Sequence, residues 1–299
     1  MARPVTETRP LYTRVTDAIV ADLERGVRPW TKPWASGAGG PVGRPLRHSG
    51  EPYRGINVLL LWAEAFERGY AAPTWMTFRQ ALALGGHVRK GEHGATVVYA
   101  NRIVREDPDA PAGDDGLRSI PFLKAYTVFN VGQIDSLPAV YAPAPALAVS
   151  AERRIAAVEA FVASTGAAVR HGGDRAYYAP GPDYVQMPKL AAFPELEDYY
   201  ATLLHELTHW TGHASRLDRE FGAPRTGDNR YAREELVAEL GAAFLCADLG
   251  VSLRPREDHA SYLAGWLKVM KADHRSIFAA AAHAQRACDL LSGVATAEP

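Results

Sequence analysis

The residues best suited to chemistry are His205, Glu206 and His209, which form the motif His-Glu-Leu-Thr-His. If residues 196–210 are helical, the two histidines lie four positions apart on one face and can bind one divalent ion. Glu206 lies one position round the helix and would act on a water molecule. Because a bound cation lowers the pKa of water toward about 7, a carboxylate can remove its proton. The motif therefore predicts a metal site with Glu206 as the catalytic base.

The segment around this motif has the features of a packed helix. Leu196, Leu203 and Leu207 recur at helical spacing and give it an apolar face. Acidic residues near its start and Gly212 after its end favour helix initiation and termination. A metal site here would lie on a rigid element.

Two histidines leave a tetrahedral site incomplete, so a third ligand must come from downstream. One known continuation places a histidine six positions after the second one, but this position is Ser215. The alternative is a carboxylate from the apolar helical run 234–244. There, Glu235 and Glu239 share a face, so one can bind the ion while the other accepts a hydrogen bond from a histidine's second nitrogen. Glu234 is the competing ligand.

The spacing from Glu235 to Glu239, Glu-x-x-Ala-Glu, resembles the Glu-x-x-Ser-Asp helix of glutamate-type zincins. This resemblance favours Glu235 as the third ligand and Glu239 as the outer acceptor. The set of His205, His209 and Glu235 predicts one divalent ion per chain, zinc in the first instance with manganese as the alternative. His213 lies beyond the glycine and is expected to be a helix-end or surface histidine.

Composition limits the class of protein. The chain has 299 residues and 47% hydrophobic content, enough for one large domain or two ordinary ones. No apolar run is long enough to span a membrane, and the start has no signal-peptide core, so we predict a cytoplasmic protein with no membrane partner. Cys246 and Cys288 lie in apolar helical patterns, as buried thiols of a reducing compartment would.

The amino-terminal half is basic and predicts an α+β domain. Residues 1–125 contain 17 Lys and Arg against 13 Asp and Glu, whereas the remainder contains 16 against 21. An amphipathic helix begins at Leu11, and Thr77 has the spacing of a capping box. Strands 95–103 and 122–131 are predicted to pair antiparallel across an acidic loop. Helices beside such a sheet form an α+β domain.

Trp30 and Trp34 lie beside Arg28 and Lys32 in a proline-containing loop. Bases can stack on exposed indoles while cations contact phosphates, which predicts binding of single-stranded DNA. The alternative is that both indoles fill a hydrophobic core. The predicted DNA-binding set also includes Arg54, Asn57, Arg89, Lys90 and Lys124.

The segment 136–150 is rich in alanine and proline and predicts a linker. It separates a DNA-binding domain, 1–135, from a mainly helical domain with a small sheet, 151–299. Short strands at 167–171 and 184–187 could align a substrate backbone ahead of the metal helix. Further helices are predicted at 151–166, 262–270 and 277–291.

Several motifs in this order resemble a known family. They are Trp30-x-Lys32-Pro33-Trp34, Tyr53-Arg54-Gly55-x-Asn57, Trp75-x-Thr77-Phe78-x-Gln80, Gly85-Gly86-x-Val88-Arg89-Lys90-Gly91 and Phe129-Asn130-Val131-x-Gln133. Together they are similar to the amino-terminal domain of ArdC-type antirestriction proteins. Residues 205–212 and 234–244 resemble the zincin-like carboxyl-terminal domain of the same family, so the likeness extends over about residues 10–292.

The resemblance implies a protein of plasmids and phages, related to the amino-terminal part of plasmid TraC primases. Such a protein would bind single-stranded DNA and shield incoming DNA from restriction, with a protein substrate or restriction enzyme as a further partner. Two alternatives stay open. One is an intracellular metallopeptidase acting on protein substrates, and the other is a replication or conjugation accessory protein whose metal is structural.

Overall fold

The computed structural model describes residues 10–30, 43–106, 117–142, 150–219, 230–251 and 259–294. Within these ranges the chain forms eight α-helices and three β-sheets, so the predicted α+β fold is confirmed. None of these helices combines the length and the apolar character needed to cross a lipid bilayer.

The amino-terminal half contains three helices packed beside two sheets. The helices are α1 Leu11–Glu24, α2 Ile56–Arg68 and α3 Phe78–Ala83. The strands are β1 Leu46–Arg47, β2 Thr74–Thr77, β3 His87–Val88, β4 Ala95–Glu106, β5 Leu117–Asn130 and β6 Ile134–Asp135. The predicted capping box is present at the start of α3, because Thr77 and Gln80 each bind the other's backbone N–H through a side-chain oxygen.

The larger sheet has the strand order β1-β2-β5-β4, with β1 parallel to β2 and the other pairs antiparallel. Strands β4 and β5 pair as predicted. On the outer edge of β4, Asn57 of α2 donates from Nδ2 to the Val98 carbonyl at 2.8 Å and accepts from the Val98 N–H at 2.7 Å. Asn57 therefore occupies backbone groups that would otherwise form an open sheet edge.

The carboxyl-terminal half is mainly helical. Its helices are α4 Ala151–Thr165, α5 Leu196–Trp210, α6 Arg230–Leu249, α7 His259–Ala272 and α8 Ser276–Leu291. Its strands are β7 Val169–His171, β8 Tyr177–Ala179 and β9 Tyr184–Met187, in the order β7-β9-β8. Strands β7 and β9 and all five helices were predicted. Strand β8 was not predicted.

Helices α5 and α6 approach closely where Gly241 faces Thr208. A Cβ atom on Gly241 would lie 2.5 Å from Thr208 Cγ2 and 2.7 Å from its Oγ1. Thr208 belongs to the histidine motif, and its own hydroxyl donates to the Leu204 carbonyl. The glycine thus lets the motif helix and the carboxylate-bearing helix pack directly against each other.

One hydrophobic core joins the two halves of the chain. Trp62 of α2 packs edge-on against Phe244 of α6, with ring centroids 5.9 Å apart. Thr16 of α1 donates to the His274 carbonyl at 2.6 Å. The amino-terminal half therefore packs against the carboxyl-terminal half through a shared core.

Part of the predicted linker also lies against this body. Tyr141 donates from its hydroxyl to the His48 carbonyl at 3.0 Å, whereas residues 143–149 lie outside the described ranges. The domain limits 1–135, 136–150 and 151–299 stay a prediction.

Candidate metal centre

The structure brings His205, His209 and Glu235 together between α5 and α6. Glu235 Oε2 lies 3.5 Å from His205 Nε2, and Glu235 Oε1 lies 3.6 Å from His209 Nε2. The candidate ligand atoms of all three residues lie within 4.8 Å of one another. Ligand atoms bound at about 2 Å to one tetrahedral ion lie roughly 3.3 Å apart, so a small inward movement would suit a first-row divalent cation.

The ionisation of Glu235 fits the same interpretation. Its burial acts to raise its pKa, but the hydrogen bond with His205 and the charges of His209 and His205 outweigh burial and bring the pKa to about 2. An ionised carboxylate that is buried between two imidazoles has the donor chemistry of a divalent-cation site.

Glu234 orients His209 through a contact with its ring nitrogen Nδ1. Its Oε1 lies 3.0 Å from His209 Nδ1, and its two oxygens accept from Arg219 at 2.7 and 3.1 Å. Burial acts to raise the pKa of Glu234, but the hydrogen bonds and charges of His209 and Arg219 outweigh burial. The pKa of Glu234 is therefore lower than its usual value. With its proton on Nδ1, His209 presents the lone pair of Nε2 toward Glu235. Glu234, expected as the competing ligand, is placed as the outer acceptor instead.

The prediction for Glu239 is wrong. Its Oε1 accepts from Trp30 Nε1 at 3.1 Å and lies 3.8 Å from Arg28. Within the described part of the chain, His205 Nδ1 is buried without a hydrogen-bond partner, so Glu239 holds neither histidine. The physical reason is helix rise: one turn beyond Glu235 along α6 is a shift of about 6 Å, enough to carry the carboxylate past the imidazoles.

A cavity of about 700 Å³ opens onto this group and is also lined by Glu206. Tyr178 of β8, Tyr231 of α6 and Tyr262 of α7 line it too, and the hydroxyls of Tyr231 and Tyr262 are 3.0 Å apart. Burial and the contact with Asp183 raise the pKa of Tyr178 to about 12, so its hydroxyl stays protonated. We did not predict these tyrosines. Tyr231 precedes Glu235 by four residues, a helical spacing from which it could have been found.

His213 follows the end of α5, where its Nδ1 lies 2.8 Å from the Ser215 hydroxyl, and it lines the rim of the cavity. Arg219 lies beside it in the same cavity and donates to the Thr208 carbonyl and the Thr211 hydroxyl, both at 2.7 Å. Nothing in the local sequence indicates this role of Arg219, because it depends on the path of the chain after the helix.

Two of the predicted DNA-binding residues lie against the buried carboxylate of Glu239. Trp30 is 0% exposed and packs edge-on against Trp266, with centroids 6.0 Å apart. Arg28 lies beside the same buried Glu239 carboxylate. Since a base cannot stack on a buried indole, the prediction for Trp30 is wrong, and Arg28 is directed at an internal acid. Lys32 and Trp34 lie outside the described residues.

Three further members of the predicted set have structural contacts. Arg54 pairs with Asp289 of α8, and Asn57 covers the edge of β4. Arg89 bonds Glu92, the Gly132 carbonyl and Asp135 around one turn. Lys90 and Lys124 are exposed and accessible to a ligand.

Two histidines one turn apart on a helix, a glutamate from the next helix and an acid beside the first histidine define the class of zincin-like metallopeptidase domains. Residues 156–283 match the family model of a zincin-like metallopeptidase, and residues 9–129 match that of the N-terminal domain of the anti-restriction factor ArdC.

The chain belongs to the ArdC antirestriction family. It is 48% identical to the ArdC antirestriction protein of plasmid R388 in its metal-free structure, with a TM-score of 0.79 over 95% of this chain and 97% of that one. The Mn(II)-bound structure of the same protein gives 47% identity and a TM-score of 0.77, over 95% and 98%.

Two relatives extend the comparison. Uncharacterized protein y4eC of Sinorhizobium fredii is 43% identical, over 96% of this chain and 92% of the relative. DNA primase TraC of Escherichia coli is 37% identical over 95% of this chain, but the match spans only 27% of the primase. The chain thus corresponds to a part of TraC and to nearly all of y4eC.

Proposed function

We propose that this protein binds single-stranded DNA and protects incoming DNA from restriction, and that it holds one divalent ion at His205, His209 and Glu235. The observation that carries the proposal is the similarity, over nearly the whole of both chains, to an antirestriction protein that has been crystallised with Mn(II). The likeness to TraC, a DNA primase, supports an association with DNA.

The donor set supports either zinc or manganese. Imidazole nitrogens suit zinc, and manganese accepts the same mixed set of nitrogen and oxygen. Glu235 supplies the one negative charge within the set, Glu234 fixes the tautomer of His209, and Arg219 holds Glu234 in place.

The site also has the parts needed for peptide hydrolysis. A bound divalent ion supplies Lewis acidity that makes water a nucleophile near neutral pH. Glu206 is buried at the cavity wall, where its carboxylate can take a proton from water and pass it to a leaving amine. Tyr178 and Tyr231 line the same cavity, where the Tyr178 hydroxyl donates to Asp183 at 2.8 Å and the Tyr231 hydroxyl lies 3.0 Å from that of Tyr262. This accessible cavity favours a peptidase as the second candidate function over a purely structural metal.

We expect the full-length protein to bind an oligo(dT) strand with an affinity that falls as salt rises. Each phosphate neutralised should contribute about -0.7 to the slope of log K against log salt concentration. Fluorescence anisotropy at several salt concentrations measures this slope, and the same sequence as a duplex is the control. Equal affinity for duplex and single strand, or no binding at low salt, would contradict the proposal.

We expect Glu206→Gln to retain the metal, DNA binding and protection of incoming DNA. Glu206 is outside the group of candidate ligands, and a protein that coats a strand needs no turnover. A plasmid-transfer assay into a restricting host measures protection, and cleavage of casein measures peptidase activity. Glu197→Gln, on the first turn of the same helix, is the matched control. Loss of protection in Glu206→Gln with unchanged DNA affinity would show that protection depends on cleavage.

A further inference from the structure

The burial of Trp30 leaves open which surface binds the strand. We propose that it is the hairpin face, the side of β4 and β5 that carries Tyr99, Asn101, Phe122, Lys124 and Tyr126. This inference rests on the proposed binding of single-stranded DNA and adds the location of the site. None of these residues except Lys124 belongs to the predicted DNA-binding set.

The strand register places these five side chains on one side of the sheet. Tyr99 pairs with Lys124 and Asn101 pairs with Phe122. Tyr126, two positions from Lys124, completes the row because alternate residues of a strand face the same way. The Tyr99 ring lies 6.3 Å from that of Tyr126 and 6.2 Å from that of Phe122, measured between centroids. The hairpin face therefore carries a continuous row of three aromatic rings.

The rings of Tyr99 and Tyr126 are open to solvent, and that of Phe122 is half-buried. Tyr99 is 47% exposed and Tyr126 is 44% exposed, whereas Val97 and Val128, farther along the same face, are buried. Cross-strand aromatic pairs stabilise a hairpin, but that role does not require rings to be grouped on an open face. Exposed aromatic rings on a sheet can stack successive bases, and every base has a face on which to stack. The bases of a duplex are already stacked, so such a surface favours a single strand.

The positive charges are placed to contact phosphates beside the stacked bases. Lys124 Nζ lies 5.3 Å from the centroid of the Phe122 ring. A groove of about 570 Å³ continues from Tyr99 and Tyr126 to Arg47 and His48. Glu51 also lines this groove and lies 3.5 Å from Arg47, which leaves half of the Arg47 side chain exposed. Lys124 and the exposed part of Arg47 are therefore cations that a phosphate backbone beside the aromatic row could contact.

The alternative occupant, a peptide that adds a strand to the sheet, fits less well. Such a peptide needs free backbone groups on the edge of β4. Asn57 already occupies both backbone groups of Val98 on this edge. An added strand would therefore lose its pairing with Val98, whereas a ligand on the face of the sheet would not.

The test uses the full-length protein and fluorescein-labelled oligo(dT). Tyr126→Thr and Tyr99→Thr keep a residue with strand propensity but remove the ring, and each should weaken binding about 5- to 100-fold, as expected for one lost stacked base. Tyr126→Phe should bind within about twofold of the wild type, because it keeps the ring. Lys124→Gln should reduce the magnitude of the salt slope by about 0.7.

Two controls match these changes elsewhere on the surface. Phe66→Ala removes an exposed ring from α2, and Lys268→Gln removes an exposed cation from α7. Both should leave binding unchanged. As a readout that does not depend on variant stability, an oligonucleotide with 5-iodouracil should form photo-crosslinks to Tyr99, Phe122 or Tyr126 in the wild type.

The outcomes separate the two proposals. If the wild type binds the strand but both threonine variants bind equally well, or if the crosslinks map elsewhere, the hairpin face is not the site and the proposed function stands. If the wild type does not bind single strands at all, the proposed function fails and this inference fails with it.

Discussion

Replacing Glu235 with glutamine should abolish stoichiometric binding of a divalent ion. The change keeps the shape of the side chain but removes the one negative charge that lies between His205 and His209. Loss of an outer hydrogen-bond partner typically costs 10- to 100-fold in metal affinity, so loss of a charged ligand should cost at least about 100-fold. Elemental analysis of purified protein should fall from near one equivalent to a small fraction.

Isothermal titration with Zn²⁺ and with Mn²⁺ gives the affinities directly. Glu234→Gln is the matched control, because it removes the neighbouring carboxylate that holds His209 Nδ1. It should weaken binding by about 10- to 100-fold while one ion still binds at saturation. Added metal should raise the melting temperature of the wild type and of Glu234→Gln, but not that of Glu235→Gln. Full occupancy in Glu235→Gln would transfer the ligand role to another acid.

Local patterns in the sequence were sufficient to predict most of the helices and strands. Helix α5 has the predicted bounds, Leu196–Trp210, because its apolar spacing, acidic start and following glycine all lie within one segment. The capping box at Thr77 and the β4–β5 hairpin are local in the same sense. Metal chemistry limited the third ligand to an acid of the run 234–244, and the resemblance to the glutamate-type zincin helix favoured Glu235, which the structure places beside His205 and His209.

The features that the sequence did not predict depend on contacts between distant parts of the chain. The spacing of the sequence placed Glu239 on the same helix face as Glu235. Spacing alone does not show at which turn of the helix the metal site lies. Trp30 bonds a residue 209 positions later, so no window of sequence around it distinguishes a buried indole from an exposed one. Tyr99 and Tyr126 lie on two strands, and their shared open face follows only from the register of the hairpin.

Replacing Trp30 with alanine should lower stability strongly without removing a base-stacking surface. A fully buried tryptophan changed to alanine costs about 3–5 kcal/mol, mainly through the cavity that it leaves. The buried Glu239 carboxylate also loses a hydrogen-bond donor, which adds about 1–3 kcal/mol. For a chain of this size the melting temperature should fall by about 10 °C or more. Differential scanning calorimetry measures the change.

The comparison with Trp30→Phe separates packing from hydrogen bonding at this position. Phenylalanine keeps most of the contact with Trp266 but has no Nε1 donor for Glu239, so its cost should approach the hydrogen-bond contribution alone. At a temperature where both variants are folded, each should bind oligo(dT) with the affinity of the wild type, because a buried indole offers no face to a base. A large loss of DNA affinity in stably folded Trp30→Phe would contradict this assignment, since it would show that the indole contributes to binding beyond its place in the core.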